Sequence, residues 1–169
     1  KGHVRVVEKD LVMVTDSVTY NAKKAIEYYQ NGATITSAKN KNTLTSRSGY
    51  YHSKSKNLYF KGNVVLKNPE SELTTDTLRY NITKETAYFV APTLIKMNDT
   101  SEIVTANGWF DTRRDQTAFF DRSILRKKEK NITADTIYYD RNKAAGTLLG
   151  HAWLYDTTQH TGLFGNYVF

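Results

Sequence analysis

Polar and apolar positions repeat in a fixed order along this chain. The nine-residue stretches MVTDSVTYN (13–21), LTTDTLRYN (73–81) and ITADTIYYD (132–140) are near copies of one another. Self-similarity at a fixed period is the signature of a repeat architecture. Aligned on these stretches, the chain divides into units of 29 to 31 residues opened by Met13, Leu44, Leu73, Ile103, Ile132 and Leu163. Seven residues after each of the first five comes an aromatic ring: Tyr20, Tyr51, Tyr80, Phe110 and Tyr139. A turn former or His follows at Asn21, His52, Asn81, Asp111 and Asp140, and then a basic residue at Lys24, Lys56, Lys84, Arg114 and Lys143. A second apolar position (Tyr29, Phe60, Phe89, Phe119, Leu148) and a closing aliphatic (Ile35, Leu66, Ile95, Leu125, Leu154) complete the unit. The unit opened by Leu163 stops at Phe169, inside a repeat, which leads to the expectation that the native protein continues.

No segment carries a sustained helical stripe, and both arms of each unit mix Thr, aliphatic and aromatic residues as strands do. An Asn or Asp followed by polar residues and a Lys is hairpin-turn chemistry. The pattern therefore predicts an all-β chain of two-strand units in one domain, 1–169. In the first arm the apolar parity changes between Leu73–Thr75 and Leu78–Tyr80, which predicts a bend or bulge near Thr75 and Asp76. In the second arm the pairs Ala33/Ile35, Val64/Leu66, Thr93/Ile95, Ser123/Leu125 and Ala152/Leu154 mark the inward face. Stacked units place equivalent residues roughly 10 Å apart, two strand spacings, so the five aromatics form a ladder whose first role is packing.

Composition changes this picture little. Twelve Tyr, seven Phe and only two Pro suit β structure. No run of 18 apolar residues is present, and the sequence begins at Lys1 without a Met or a signal-like segment. The absence of Cys excludes disulfides and thiolate metal sites. A net charge of +7 favours anionic partners such as nucleic acid, phospholipid head groups or phosphorylated glycolipid, and serves solubility equally well. The four His, at positions 3, 52, 151 and 160, stand in no metal-ligand pattern and in no close pair with a carboxylate, so turn or surface roles are expected and no metal. Asp16, Asp76 and Asp135 share one column, but Arg47 and Ala106 interrupt it. Bonds to the backbone at a bend account for these Asp residues better than catalysis does. No nucleotide-binding glycine pattern occurs, so no cofactor is expected. The run Arg126, Lys127, Lys128 is a candidate phosphate contact. Nucleic acid is not expected as a partner, because the aromatics follow the strand period and are taken up by packing.

The segments GNVVLKN (62–68), ELTTDTLRYN (72–81) and ITADTIYYDRNKAAGTLLGHAWLYD (132–156) resemble the OstA/LptA-like repeats. The likeness covers nearly the whole chain and is clearest in the third and fifth units. The second unit departs from it with Arg47 and Gly49, and the fourth with Ala106, Gly108 and Asp121. The resemblance implies an elongated antiparallel β-jellyroll, open along one side like a folded taco. It implies a non-enzymatic role in lipopolysaccharide transport across the Gram-negative periplasm. Lipopolysaccharide or a related anionic glycolipid would lay its acyl chains in an apolar groove. Other β-jellyroll components, or further copies of the chain, would pair end to end through strand edges. The residues expected to line the groove are Ile35, Leu66, Ile95, Leu125 and Leu154, and after them Tyr20, Tyr51, Tyr80, Phe110 and Tyr139. Three other readings compete: a structural or adhesive cell-surface repeat protein without a lipid, a polysaccharide-active β-solenoid enzyme, and a nucleic-acid binder.

Overall fold

The computed structural model describes residues 4–8, 10–39 and 41–168, with Glu8 described for its backbone only. His3 lies outside these residues. All regular structure within them is β. In chain order the strands are β1 (Val4–Glu8), β2 (Leu11–Thr15), β3 (Thr19–Asn21), β4 (Ile26–Tyr29), β5 (Ala33–Ser37), β6 (Asn42–Ser46), β7 (Ser48–His52), β8 (Asn57–Lys67) and β9 (Ser71–Asn81). They continue as β10 (Thr86–Phe89), β11 (Thr93–Met97), β12 (Glu102–Thr105), β13 (Asn107–Asp111), β14 (Gln116–Lys127), β15 (Lys130–Asp140), β16 (Ala145–Asp156) and β17 (Thr161–Val168).

The pairing is antiparallel throughout and forms one folded sheet with two layers. The first layer runs β1-β2-β5-β6-β8-β9-β11-β12-β14-β15-β16-β17. The second runs β3-β4-β7-β8-β9-β10-β13-β14-β15-β16-β17. The long strands β8, β9, β14, β15, β16 and β17 cross the corner and belong to both layers. Elsewhere each arm breaks into two short strands at the same corner. The architecture is the all-β arrangement of two-strand units that the repeat pattern predicts, folded as the β-jellyroll that the resemblance implies.

The corner has a sequence cause. In β8, β14 and β16 the register slips where two successive residues take positive φ: Gly62 and Asn63, Asp121 and Arg122, Gly150 and His151. The extra residue bends the strand and turns its inward face onto the second layer. Thr75 and Leu78 are both buried while Asp76 between them is exposed, so the parity of the first arm switches where the sequence places it. The second-arm bulges are the larger part of the bend. Small and β-branched residues line the inside of the corner, and their hydroxyls pair across strands: Thr93 Oγ1 donates to Thr75 Oγ1 at 3.1 Å, and Ser123 Oγ to Thr105 Oγ1 at 2.8 Å. That pairing explains the Thr-rich first arms, since a buried hydroxyl needs a partner.

The turns of the second layer are equally uniform. Asn21, His52, Asn81, Asp111 and Asp140 each accept the backbone N–H three residues ahead, at 2.8 to 3.3 Å. The fourth residue after each cap takes positive φ, at Ala25, Lys56, Glu85, Asp115 and Ala144. Neighbouring turns are bonded to one another along both free rims, as in Asn98 N–H to Glu70 O at 3.0 Å and Arg141 N–H to Asp115 O at 3.0 Å.

Candidate functional site

The inner face of the first layer is a single row of aliphatic side chains. Strand register joins Val6, Met13, Ile35, Leu44, Leu66, Leu73, Ile95, Ile103, Leu125, Ile132, Leu154 and Leu163 edge to edge. The opening and closing aliphatics of every unit thus meet in one line. The middle of the row is buried at Leu44, Leu73, Ile95 and Ile103. Ile35, Leu66, Leu125, Ile132 and Leu154 are half-buried, and Leu163 is 49% exposed. Of the residues expected to line a groove, Ile95 is core, while Ile35, Leu66 and Leu125 pack against the core with their edges open.

Two rows face them from the second layer. The row next to the corner is Tyr29, Gly49, Phe60, Leu78, Phe89, Gly108, Phe119, Ile137, Leu148 and Val168. Phe89 and Phe119 stack with centroids 6.0 Å apart, across Gly108. A Cβ at Gly108 would lie 2.4 Å from the Ala118 carbonyl oxygen, and one at Gly49 would lie 2.5 Å from the Tyr29 hydroxyl. The glycines that interrupt the repeat pattern in the second and fourth units therefore make room for the rings beside them. The outer of the two rows holds the aromatic ladder, alternating with Glu27, Leu58, Ala87, Thr117 and Gly146. Tyr80 and Phe110 pack against the core and Tyr51 is half-buried, whereas Tyr20 is 60% and Tyr139 40% exposed. Burial pushes the Tyr80 phenol up, with Thr112 opposing and the carboxylates of Glu85, Asp10 and Asp111 adding to the rise.

Opposite the corner, the free rims of the two layers form a mouth. It is bridged by an ion pair between Glu70, in the β8–β9 turn of the first layer, and Arg141, in the β15–β16 turn of the second. Asp115 stands behind Arg141 at 3.9 Å. The two turns are about 70 residues apart in sequence, and the Asp10 carboxylate, in the β1–β2 turn, also acts on Tyr80 from 70 positions away. The layers therefore cross: the β8–β9 turn of the first meets the β15–β16 turn of the second, about two units further along. The basic run lies on the first-layer rim. Lys127 pairs with Asp99 at 3.0 Å, Arg126 with Glu102 at 4.0 Å, and Lys128 takes positive φ in the turn. The Ser101 side chain, Lys127 and the Ser101 N–H hold the Asp99 carboxyl down at about 2.

The Asp column lies at the corner, but its bonds differ from the expected ones. Asp76 Oδ2 accepts the Thr77 hydroxyl at 3.0 Å, and Asp135 Oδ2 meets His151 Nδ1 at 2.6 Å. His151 thus does pair with a carboxylate, through the bulge and not through a sequence motif. His52 caps a turn, and His160 lies 3.4 Å from the Tyr155 hydroxyl. Among the described residues no group of three or more His, Asp or Glu side chains is arranged to hold a metal.

The sequence reading missed the solvent face of the second layer. There the register lines up Tyr28, Tyr50, Tyr59, Arg79, Tyr88, Trp109, Ala118 and Tyr138. Aromatics are thus not all taken up by the core. The overlooked signal is the doublet: Tyr28–Tyr29, Tyr50–Tyr51, Tyr59–Phe60, Tyr88–Phe89, Trp109–Phe110 and Tyr138–Tyr139 each set one ring inside and one outside.

The family model described as OstA-like protein matches residues 1–76 and 63–135. The chain belongs to the OstA-like protein family. No curated protein sequence matches it. In fold, this OstA-like protein is similar to LptH of Pseudomonas aeruginosa, described as the LptA-homologous periplasmic component of the conserved lipopolysaccharide transport device. The likeness has a TM-score of 0.57 at 13% identity, over 64% of this chain and 82% of that one.

Proposed function

We propose that this OstA-like protein is a non-enzymatic carrier for lipopolysaccharide or a related anionic glycolipid, working in the periplasm as a single repeat domain. The observation that carries this reading is the continuous aliphatic row, closed in the middle and open toward both ends. Acyl chains laid along it would leave water at a gain of roughly 25 cal/mol per Å² of apolar surface. The fold shared with LptH and the family membership support the same reading. Ile35, Leu66, Ile95, Leu125 and Leu154 are its acyl contacts, with Tyr20, Tyr51, Tyr80, Phe110 and Tyr139 behind them. Arg126, Lys127 and Lys128 would meet lipid phosphates at the rim through charge-assisted bonds, the first two exchanging their present carboxylate partners. Among the described residues β1, β3 and β17 each pair on one side only, which suits end-to-end strand addition to other β-jellyroll modules or to further copies.

The buried centre of the row favours a second reading, a structural repeat protein whose interior needs no ligand. Photo-crosslinkers at Leu66, Ile95 and Leu125, with Lys84 as an outward control, separate the two. Transfer of label to lipopolysaccharide from the inner positions and not from Lys84 supports the carrier. A folded protein that labels lipid from none of them is the structural repeat.

A further inference from the structure

Among the described residues, the outward face of the second layer holds a cation with no acidic partner. Arg79 lies mid-row, its guanidinium carbon 4.0 Å from the Tyr88 ring centroid, and its Nε is buried without a hydrogen bond. Strand register surrounds it with Tyr59, Tyr88, Asn57, Asn81, Thr77 and Lys61, none of them acidic. Beside it, toward β4, opens a recess of about 510 Å³ walled by Tyr28, Tyr50 and Tyr59 and edged by His52, Ser55 and Asn57. Tyr50 and Tyr59 stack at 4.5 Å and form one rigid wall. Two of the three polar groups at its edge are left as donors, while the Ser55 hydroxyl, 3.1 Å from His52 Nδ1, donates to it and is left an acceptor. His52 Nδ1 accepts the Ser55 N–H, which leaves the proton on Nε2; Asn57 Oδ1 accepts from Asn81 Nδ2 at 2.8 Å, which leaves the Asn57 amide nitrogen.

We infer that this face binds an acidic saccharide chain, with a sugar ring in the tyrosine recess and its carboxylate or phosphate on Arg79. Aromatic walls suit the C–H faces of pyranoses, and a donor-rich rim suits their oxygens. A planar guanidinium held over a ring is preorganised for an oxyanion. The row spans seven strand spacings, about 34 Å, which suits an extended polymer. An acidic peptide fits less well: β7, β8, β9 and β10 are paired on both sides, so the face offers no free backbone edge for strand addition. The site lies outside the layers and does not depend on whether acyl chains occupy the interior.

The test uses an acyl-free probe. Trp153→Phe leaves Trp109, in the same row, as the only fluorescent indole. Hexagalacturonate is expected to change its emission saturably and to bind at least about tenfold tighter than neutral maltohexaose. Arg79→Gln should weaken that binding at least about tenfold, while Lys84→Gln in a nearby turn changes it less than about twofold. Tyr50→Ser, at an exposed wall of the recess, should weaken it by a similar factor and serves if the Arg79 variant fails to fold. Equal binding of hexagalacturonate and polyaspartate, equal binding of both sugars, no saturable change, or binding unaffected by either substitution would each overturn the assignment.

Discussion

Single residues set the fit of the interior. Gly108 lies where the Phe89 and Phe119 rings meet, and any side chain there would strike the Ala118 carbonyl. Gly108→Ala is expected to lower unfolding free energy by about 1–3 kcal/mol, seen as an earlier urea midpoint with an unchanged slope. Asn81 acts in the opposite way, through bonds: it caps the turn at Lys84 N–H (2.8 Å) and donates to Asn57 Oδ1 and Ser55 O. Asn81→Ala removes all three bonds of a buried side chain and should cost about 1–3 kcal/mol in the same assay. Asn81→Asp keeps the cap and loses only the donated bonds, so it should cost less.

At the level of the element, the hairpin turns and the strand ends beside them carry a pH dependence in the acid range. Asp99 is held at about 2, and Asp140 and Asp156 are held below the ordinary carboxylate value. Gln116 does most of this for Asp140, and the Gln159 N–H for Asp156. A carboxyl whose folded pKa is depressed stabilises above its unfolded value and loses that contribution as pH falls through the folded one. The melting temperature should therefore hold down to about pH 5 and fall between about pH 4 and 2. Asp140→Asn should flatten part of that fall, because Asn81 makes the equivalent turn bond without titrating; an unchanged acid limb would place the effect elsewhere. This scale was also the most legible in the sequence. Period, turns, second-arm inward parity and first-arm bend all follow from local chemistry, since the Asn/Asp cap and the two-residue alternation act within a few positions. The bulges at Gly62–Asn63, Asp121–Arg122 and Gly150–His151 were not read, because Asp121 and Arg122 are not residues that announce positive φ. Nor was the solvent-facing ring row, which only strand register assembles.

Over the whole molecule, the Glu70–Arg141 pair spans the mouth between residues far apart in sequence, and both side chains are more than half exposed. An exposed pair of this kind contributes only about 0.2–1 kcal/mol, so it can hold the rims together without fixing them. Glu70→Ala should speed amide exchange in the 141–144 turn by about two- to fivefold while leaving β9 and β15 unchanged. Molar salt should reproduce much of that change in the unsubstituted protein, because screening weakens exposed pairs. Equal exchange in both proteins would show that packing alone sets the aperture.

The two-unit crossing of the layers has a geometric consequence. In a stack so staggered, residues that face each other across the mouth can stand some seventy positions apart in the chain, as Glu70 and Arg141 do. Breaking the repeat at any one position would therefore leave a step, like one half of a carpenter's scarf joint, one layer reaching past the other.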